Sequence, residues 1–171
     1  MIKPGRPIQN AFVVRDLDQA LGHWLSMGVG PFYRRDHAAY VSAHYHGKPI
    51  QPDYSIALAY WGDVQIELIA QNCQTPSVYR EFLDEGHEGF HHNLVIVPDL
   101  EAFRRAIPDT PYELLSEVSL GPGTGVFYLR GKEYRWPLVE VGHLDPAVFD
   151  LFYKMKRASE NWDGSNPIRP I

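Results

Sequence analysis

Disulfides, long apolar runs and an excess of basic charge are all missing from this sequence. Cys73 is the only cysteine among 171 residues, so no internal disulfide can form. That usage suits a reducing compartment, and Cys73 reads as a small core or loop residue rather than a nucleophile. No stretch approaches the roughly 20 apolar residues that a membrane-spanning helix needs, and Met1 to Pro7 carry no apolar run of the signal-peptide kind. A cytoplasmic protein with no membrane partner is the expectation. Lysine and arginine number 16 against 21 acidic residues, with no basic run, which argues against nucleic acid as a partner. Apolar material, by contrast, is ample: 44% hydrophobic and 13% aromatic residues suffice for a sizeable core and exclude a disordered chain.

That core is organised as a repeat. Gln9-Asn10-Ala11-Phe12-Val13-Val14-Arg15-Asp16-Leu17 is echoed by His92-Asn93-Leu94-Val95-Ile96-Val97-Pro98-Asp99-Leu100. Each copy starts as a strand of β-branched and apolar residues and then meets a helix-capping aspartate. Leu17, Ala20, Leu21, Trp24 and Leu25 have helical spacing and stop at Gly28-Val29-Gly30-Pro31; Leu100, Phe103 and Ile107 do the same before Pro108. Further strands are predicted at Tyr54 to Tyr60, Val64 to Ala70, Gly125 to Leu129 and Leu138 to Val141. Arg34 to Pro52 and Asn72 to Glu88 read as loops, the second with room for a short helix over Ser77 to Glu85. Asp145 and Pro146 open a tail helix whose apolar face, Val148, Phe149, Phe152 and Tyr153, covers either the core or a partner; Asn161 to Ile171 read as irregular.

The repeat also aligns polar residues. Gln9 and His92 occupy the same position of the first strand in each half, and Val64-Gln65-Ile66-Glu67-Leu68 matches Pro137-Leu138-Val139-Glu140-Val141. Strand alternation sends Glu67 and Glu140 to the face opposite their apolar neighbours. Two carboxylates buried there would be costly without a cation, and a divalent ion held by Gln9, Glu67, His92 and Glu140 removes that cost. Three oxygen donors and one imidazole suit Zn, Ni, Co, Mn or Fe(II) better than a closed, thiolate-rich zinc site. Solvated polar groups at the mouth of a barrel are the plainer alternative. His44 and His46, at alternate positions, form either a metal pair or part of a substrate loop. Alternation turns His91 away from His92, so it reads as structural. Arg34 and Arg35 read as a solvated turn or as a hold on an anionic substrate group. Tyr60, Phe90, Tyr128 and Trp136 are candidates for the walls of a substrate pocket.

On Val14-Arg15-Asp16-Leu17-Asp18-Gln19-Ala20-Leu21, Gly28-Val29-Gly30-Pro31-Phe32, Ile66-Glu67-Leu68-Ile69 and Gly89-Phe90-His91-His92, the sequence resembles the vicinal oxygen chelate superfamily. That superfamily includes glyoxalase I, methylmalonyl-CoA epimerase, extradiol dioxygenases and bleomycin-resistance proteins. The resemblance covers roughly residues 8 to 143 and is similar in pattern to the glyoxalase-like and epimerase branches. It implies an α+β fold of tandem βαβββ modules, a curved mixed sheet around a metal cleft, followed by a C-terminal helical tail. Within one domain over 1–171, module 1 spans about 6–71, module 2 about 88–143 and the tail 144–171. Gln9, Glu67, His92 and Glu140 then match the four ligand positions, although a shifted alignment puts Pro137 in the fourth.

The implied chemistry is that of a metal-dependent lyase or isomerase/epimerase, with proton abstraction next to a metal-bound carbonyl and Glu140, or else Glu67, as the catalytic base. The implied partners are a small-molecule substrate, bulky and apolar or aromatic if the aromatic candidates face the metal, and a second copy in a homodimer. Two other readings stand beside it: a metal-free binding or resistance protein, and an Fe(II) extradiol-type dioxygenase. Gln9 counts against the dioxygenase, where a first histidine belongs.

Overall fold

Both strand-to-helix junctions form as their residues require. In the computed structural model, which describes residues 5–171, strand β1 (Pro7–Val13) leads into helix α1 (Leu17–Ser26), and Asp16 accepts the backbone N–H of Gln19 at 2.9 Å. The reading of Met1 to Pro4 lies outside the described residues. In the second half Asp99 caps the helix that begins at Leu100 by accepting the N–H of Ala102 at 2.8 Å. Each such cap contributes about 1 kcal/mol and fixes where the strand ends.

In chain order the remaining elements are β2 (Phe32–Arg35), β3 (Ser42–Tyr45), β4 (Lys48–Ile50), β5 (Tyr54–Trp61), β6 (Val64–Gln71), α2 (Val78–Asp84) and β7 (Gly89–Ile96). After β7 come α3 (Leu100–Ala106), β8 (Tyr112–Gly121), β9 (Thr124–Gly131), β10 (Leu138–His143), α4 (Pro146–Ser159) and β11 (Ile168–Pro170). All strands join one sheet in the order β11-β2-β5-β6-β1-β7-β10-β9-β8-β3-β4. β1 runs parallel to β6, β7 runs parallel to β10, and the two halves meet where β1 and β7 pair antiparallel. This is the tandem βαβββ arrangement, an α+β fold. The two first strands lie side by side at its centre.

Two stretches are more ordered than their sequence suggests. Within Arg34 to Pro52, read as a loop, β3 and β4 form a hairpin whose turn residues His46 and Gly47 have φ of 48° and 71°. Positive φ at both turn positions matches the twist of a tight hairpin. The hairpin then pairs with β8 in the other half, Ala43 opposite Val118 and Tyr45 opposite Ser116. Near the end of the chain, Ile168–Pro170 adds β11 beside β2, within a tail read as irregular.

Three apolar cores separate the faces of the sheet. Leu17 and Leu21 of α1 cover Ile66, Leu68 and Ala57 on the outer face of the first half, and Phe103 covers Val95, Phe127 and Val141 on that of the second. The inner, concave face holds Ala11, Leu94, Val126, Tyr128 and Leu138. Helix α2 fills one part of it with Val78, Tyr79, Phe82 and Leu83, while Val148 and Phe152 of α4 pack onto the same cluster. The tail helix thus covers the core, and Phe149 stays 38% exposed.

The tail is anchored by Trp162, whose ring lies where a Cβ on Gly30 would stand, 2.6 Å from that position. Gly30→Ala is expected to displace Trp162 at an overpacking cost of about 1–3 kcal/mol, a fall in Tm of about 2–4 °C for each kcal/mol. Gly22→Ala, with open space around it, is the control and should stabilise α1. Thermal unfolding with tryptophan emission reads both. Equal stability of Gly30→Ala and wild type would show that Trp162 does not anchor the tail.

Candidate metal centre

The site is built from two adjacent rungs of the concave face. On one, Ala11 of β1 sits between Glu67 of β6 and His92 of β7. On the next, Gln65, Gln9, Leu94, Glu140 and Tyr128 line up across β6, β1, β7, β10 and β9. Ala11 is fully buried and small, so the longer side chains on either side reach across it. His92 Nε2 lies 3.0 Å from Glu140 Oε2 and 3.9 Å from Glu67 Oε2, and the three residues bring one ligand atom each within 4.8 Å of one another. Gln9 donates its amide N–H to Gln65 Oε1 at 2.7 Å, which leaves its carbonyl oxygen outside that bond. Gln65, 1% exposed, joins the site without being among the residues that the sequence singles out; its place two residues before Glu67 on the same strand face is the signal for it.

Charge is poorly balanced here. His92 has no solvent exposure, and among the described residues neither Glu67 nor Glu140 pairs with a lysine or arginine. Burial pushes the Glu67 carboxyl well above the usual carboxylate range, and the neighbouring Glu140 pushes it further. The Tyr54, Tyr79 and Tyr128 hydroxyls are raised as well, by burial first and by neighbouring groups that include both carboxylates, so they stay protonated. A buried and a partly buried carboxylate, an imidazole and an amide oxygen form a donor set that fits a divalent cation, which would supply the missing positive charge.

His91 corrects the alternation reading. The register of β1 against β7 runs Ala11 to His92 and then Phe12 to Phe90, which leaves His91 as an extra residue in a β-bulge. Both imidazoles therefore turn inward, with Nδ1 to Nδ1 at 2.7 Å, and His91 Nε2 lies 3.2 Å from the carbonyl of Val78 in α2. Burial, and then the His92 ring, hold the His91 pKa well below the ordinary imidazole value.

An apolar cavity of about 250 Å³ adjoins the cluster. Ile56, Leu58, Leu94 and Val126 of the sheet and Val148, Leu151 and Phe152 of α4 line it, with Gln9, Glu67 and Glu140 as polar members and, among the described residues, Arg35 as its one cationic residue. Of the six aromatic and histidine candidates for its wall, Tyr128 is on it and five are not. Phe90 precedes the bulge and so faces outward, 40% exposed against Phe12. His44 faces a groove beside Arg104 and His143, because Tyr45 takes the inward position of β3 and donates to Glu81 Oε2 at 2.9 Å. His46 occupies the hairpin turn, which removes the strand geometry that would have paired it with His44. Tyr60 lies beside Gln65 at the far end of that rung. Trp136 packs behind the site on Phe82 and His91, with the Arg130 guanidinium over its ring at 5.2 Å. Arg34 pairs with Asp18 and Asp36 outside the cavity.

The sequence model of the Glyoxalase/Bleomycin resistance protein/Dioxygenase superfamily matches residues 8–128. This chain belongs to that superfamily. The matched segment includes Gln9, Glu67 and His92; Glu140 lies beyond it and joins the cluster through its position on β10. Among solved structures, this superfamily member is similar to a hypothetical protein from Bacillus halodurans, at 18% identity and a TM-score of 0.61, covering 84% of this chain and 96% of that one. Methylmalonyl-CoA epimerase from Mycobacterium tuberculosis is similar at 18% identity and a TM-score of 0.56, covering 88% and 97%. A Streptomyces coelicolor methylmalonyl-CoA epimerase in complex with 2-nitronate-propionyl-CoA follows at 16% and 0.54, covering 84% and 97%. At such identity the likeness is one of fold. A comparison with curated proteins finds no match. No helix among the described residues is long and apolar enough to cross a membrane.

Proposed function

We propose that this chain is a divalent-metal-dependent lyase or isomerase/epimerase that removes a proton from the carbon beside a carbonyl of a small, largely apolar substrate. One observation carries the reading. Glu67, His92 and Glu140 gather their ligand atoms within 4.8 Å, and both carboxylates line an apolar cavity with no lysine or arginine paired to them among the described residues. Gln9, Glu67, His92 and Glu140 would hold the ion, drawn from Zn, Ni, Co, Mn and Fe(II). Once bound, the ion supplies a Lewis acid that polarises a carbonyl oxygen.

The remaining work falls to the chain itself. Glu140 takes the proton, with Glu67 as the alternate base; Glu140 comes first because its Oε2 is the carboxylate oxygen nearer to His92 Nε2, at 3.0 Å against 3.9 Å. The aliphatic walls and α4 surround the site with apolar surface, which strengthens electrostatic contacts at the reacting carbon. A volume of about 250 Å³ lies just below the roughly 300–1,000 Å³ of common ligand pockets and so suits a compact reacting group. Arg35 is placed to meet an anionic end of such a molecule.

The test is exchange at carbon. Protein loaded with Zn, Ni, Co or Mn in deuterated water should exchange the α-proton of methylmalonyl-CoA or of an aryl α-hydroxy ketone, read by NMR, and a chelator should abolish the exchange. Bound metal without exchange on either substrate class would overturn the reading and favour a binding protein. Oxygen uptake with Fe(II) and a catechol would overturn it in favour of ring cleavage.

A further inference from the structure

We propose that His91 is a positioning residue, which accepts the Nδ1 hydrogen of His92 and so holds that ring with Nε2 turned toward a cation between the carboxylates. The inference rests on the reading of His92 as a metal ligand. Its geometry is a chain of two hydrogen bonds with only one consistent direction. The carbonyl of Val78 can only accept, so His91 Nε2, 3.2 Å away, carries the hydrogen of that bond. His91 is fully buried with no acidic side chain in hydrogen-bond contact, and with its hydrogen directed from Nε2 to Val78 its Nδ1 is the acceptor between the two rings. At 2.7 Å the hydrogen between the two rings therefore belongs to His92 Nδ1, which donates to His91 Nδ1. His92 is left to face Glu140 and Glu67 through Nε2.

The fold supplies this contact on purpose. Without the bulge at His91, alternation would aim that ring at the outer face and leave His92 Nδ1 without a partner in the core. The bulge turns two successive rings inward, and the bond to Val78 ties α2 to the site through them. Aromatic neighbours Phe82, Tyr79 and Trp136 surround the His91 ring and restrict its rotation.

Nitrogen-15 NMR of the metal-free protein reads the two tautomers directly, and calorimetry with Zn reads their consequence. His91 should carry hydrogen on Nε2 only and His92 on Nδ1. His91→Phe, which suits the aromatic surroundings, should weaken Zn binding about 10–100-fold, the usual cost of losing a partner behind a metal ligand. His91→Asn keeps an acceptor near Nδ1 and should recover most of that loss. Hydrogen on His91 Nδ1, or Zn binding by His91→Phe as tight as wild type, would overturn the inference. Failure of wild type to bind any metal would instead count against the function proposed above, while the tautomers would still be readable.

Discussion

Glu140→Gln is expected to keep the metal and lose α-proton exchange by about 10²- to 10⁴-fold, the range that a positioned general base contributes. The substitution is close to isosteric and retains an oxygen where Glu140 Oε2 meets His92. A neutral amide oxygen can still ligate a cation, but it cannot carry away a proton. Glu67→Gln should cost less in exchange, because Glu67 stands 3.9 Å from His92 and has no hydrogen bond to it. NMR exchange rates at saturating metal, with metal content measured on the same samples, separate loss of the base from loss of the ion. Wild-type exchange in Glu140→Gln would remove Glu140 from the reaction and pass its role to Glu67.

Metal addition should raise the melting temperature, and His92→Ala should erase that rise. At 100 times Kd, binding stabilises by about 2.7 kcal/mol, which for a chain of this size is a Tm shift of about 5–10 °C. The size of the shift depends on pH, with a definite sign. Glu67 titrates higher in the folded protein than in the unfolded chain, so the folded state holds the extra proton. Without metal, stability is greatest below the unfolded carboxylate pKa and falls as pH rises through the raised folded value. A cation binds the ionised form and reverses that loss, so its stabilisation should be larger at about pH 8 than at about pH 5. Replacing His92 removes the imidazole that meets both carboxylates, and the expected loss in affinity exceeds the ~10–100-fold cost of removing a supporting partner. A metal-induced rise in Tm equal in His92→Ala and wild type would place the ion elsewhere.

The candidate metal site is more legible in the sequence than its pocket. Gln9 and His92 share one repeat position, and Glu67 and Glu140 share another, so alternation alone could set all four on one face. The structure brings Glu67, His92 and Glu140 together, and Glu140 rather than Pro137 meets His92. Periodicity identifies a face, however, and a bulge breaks it. Alternation turns His91 the wrong way, because one inserted residue on β7 cannot be seen in the pattern of the strand itself. Phe90 fails as a wall residue for the same reason, lying on the far side of that bulge. The walls are mostly aliphatic: Ile56, Leu58, Leu94 and Val126 look like any core residues until α4 is laid beside them. Long-range pairing is equally silent in sequence. Nothing in Ser42 to Ile50 announces that its hairpin pairs with β8 of the opposite half.

Metal content decides the central claim. Protein purified without a metal-affinity tag, stripped with chelator and titrated with Zn, Ni, Co and Mn by calorimetry, should take up one ion per chain, with X-ray absorption showing oxygen ligands and a single imidazole. Wild type that binds none of these ions, or that binds one as tightly after His92→Ala, would contradict the account.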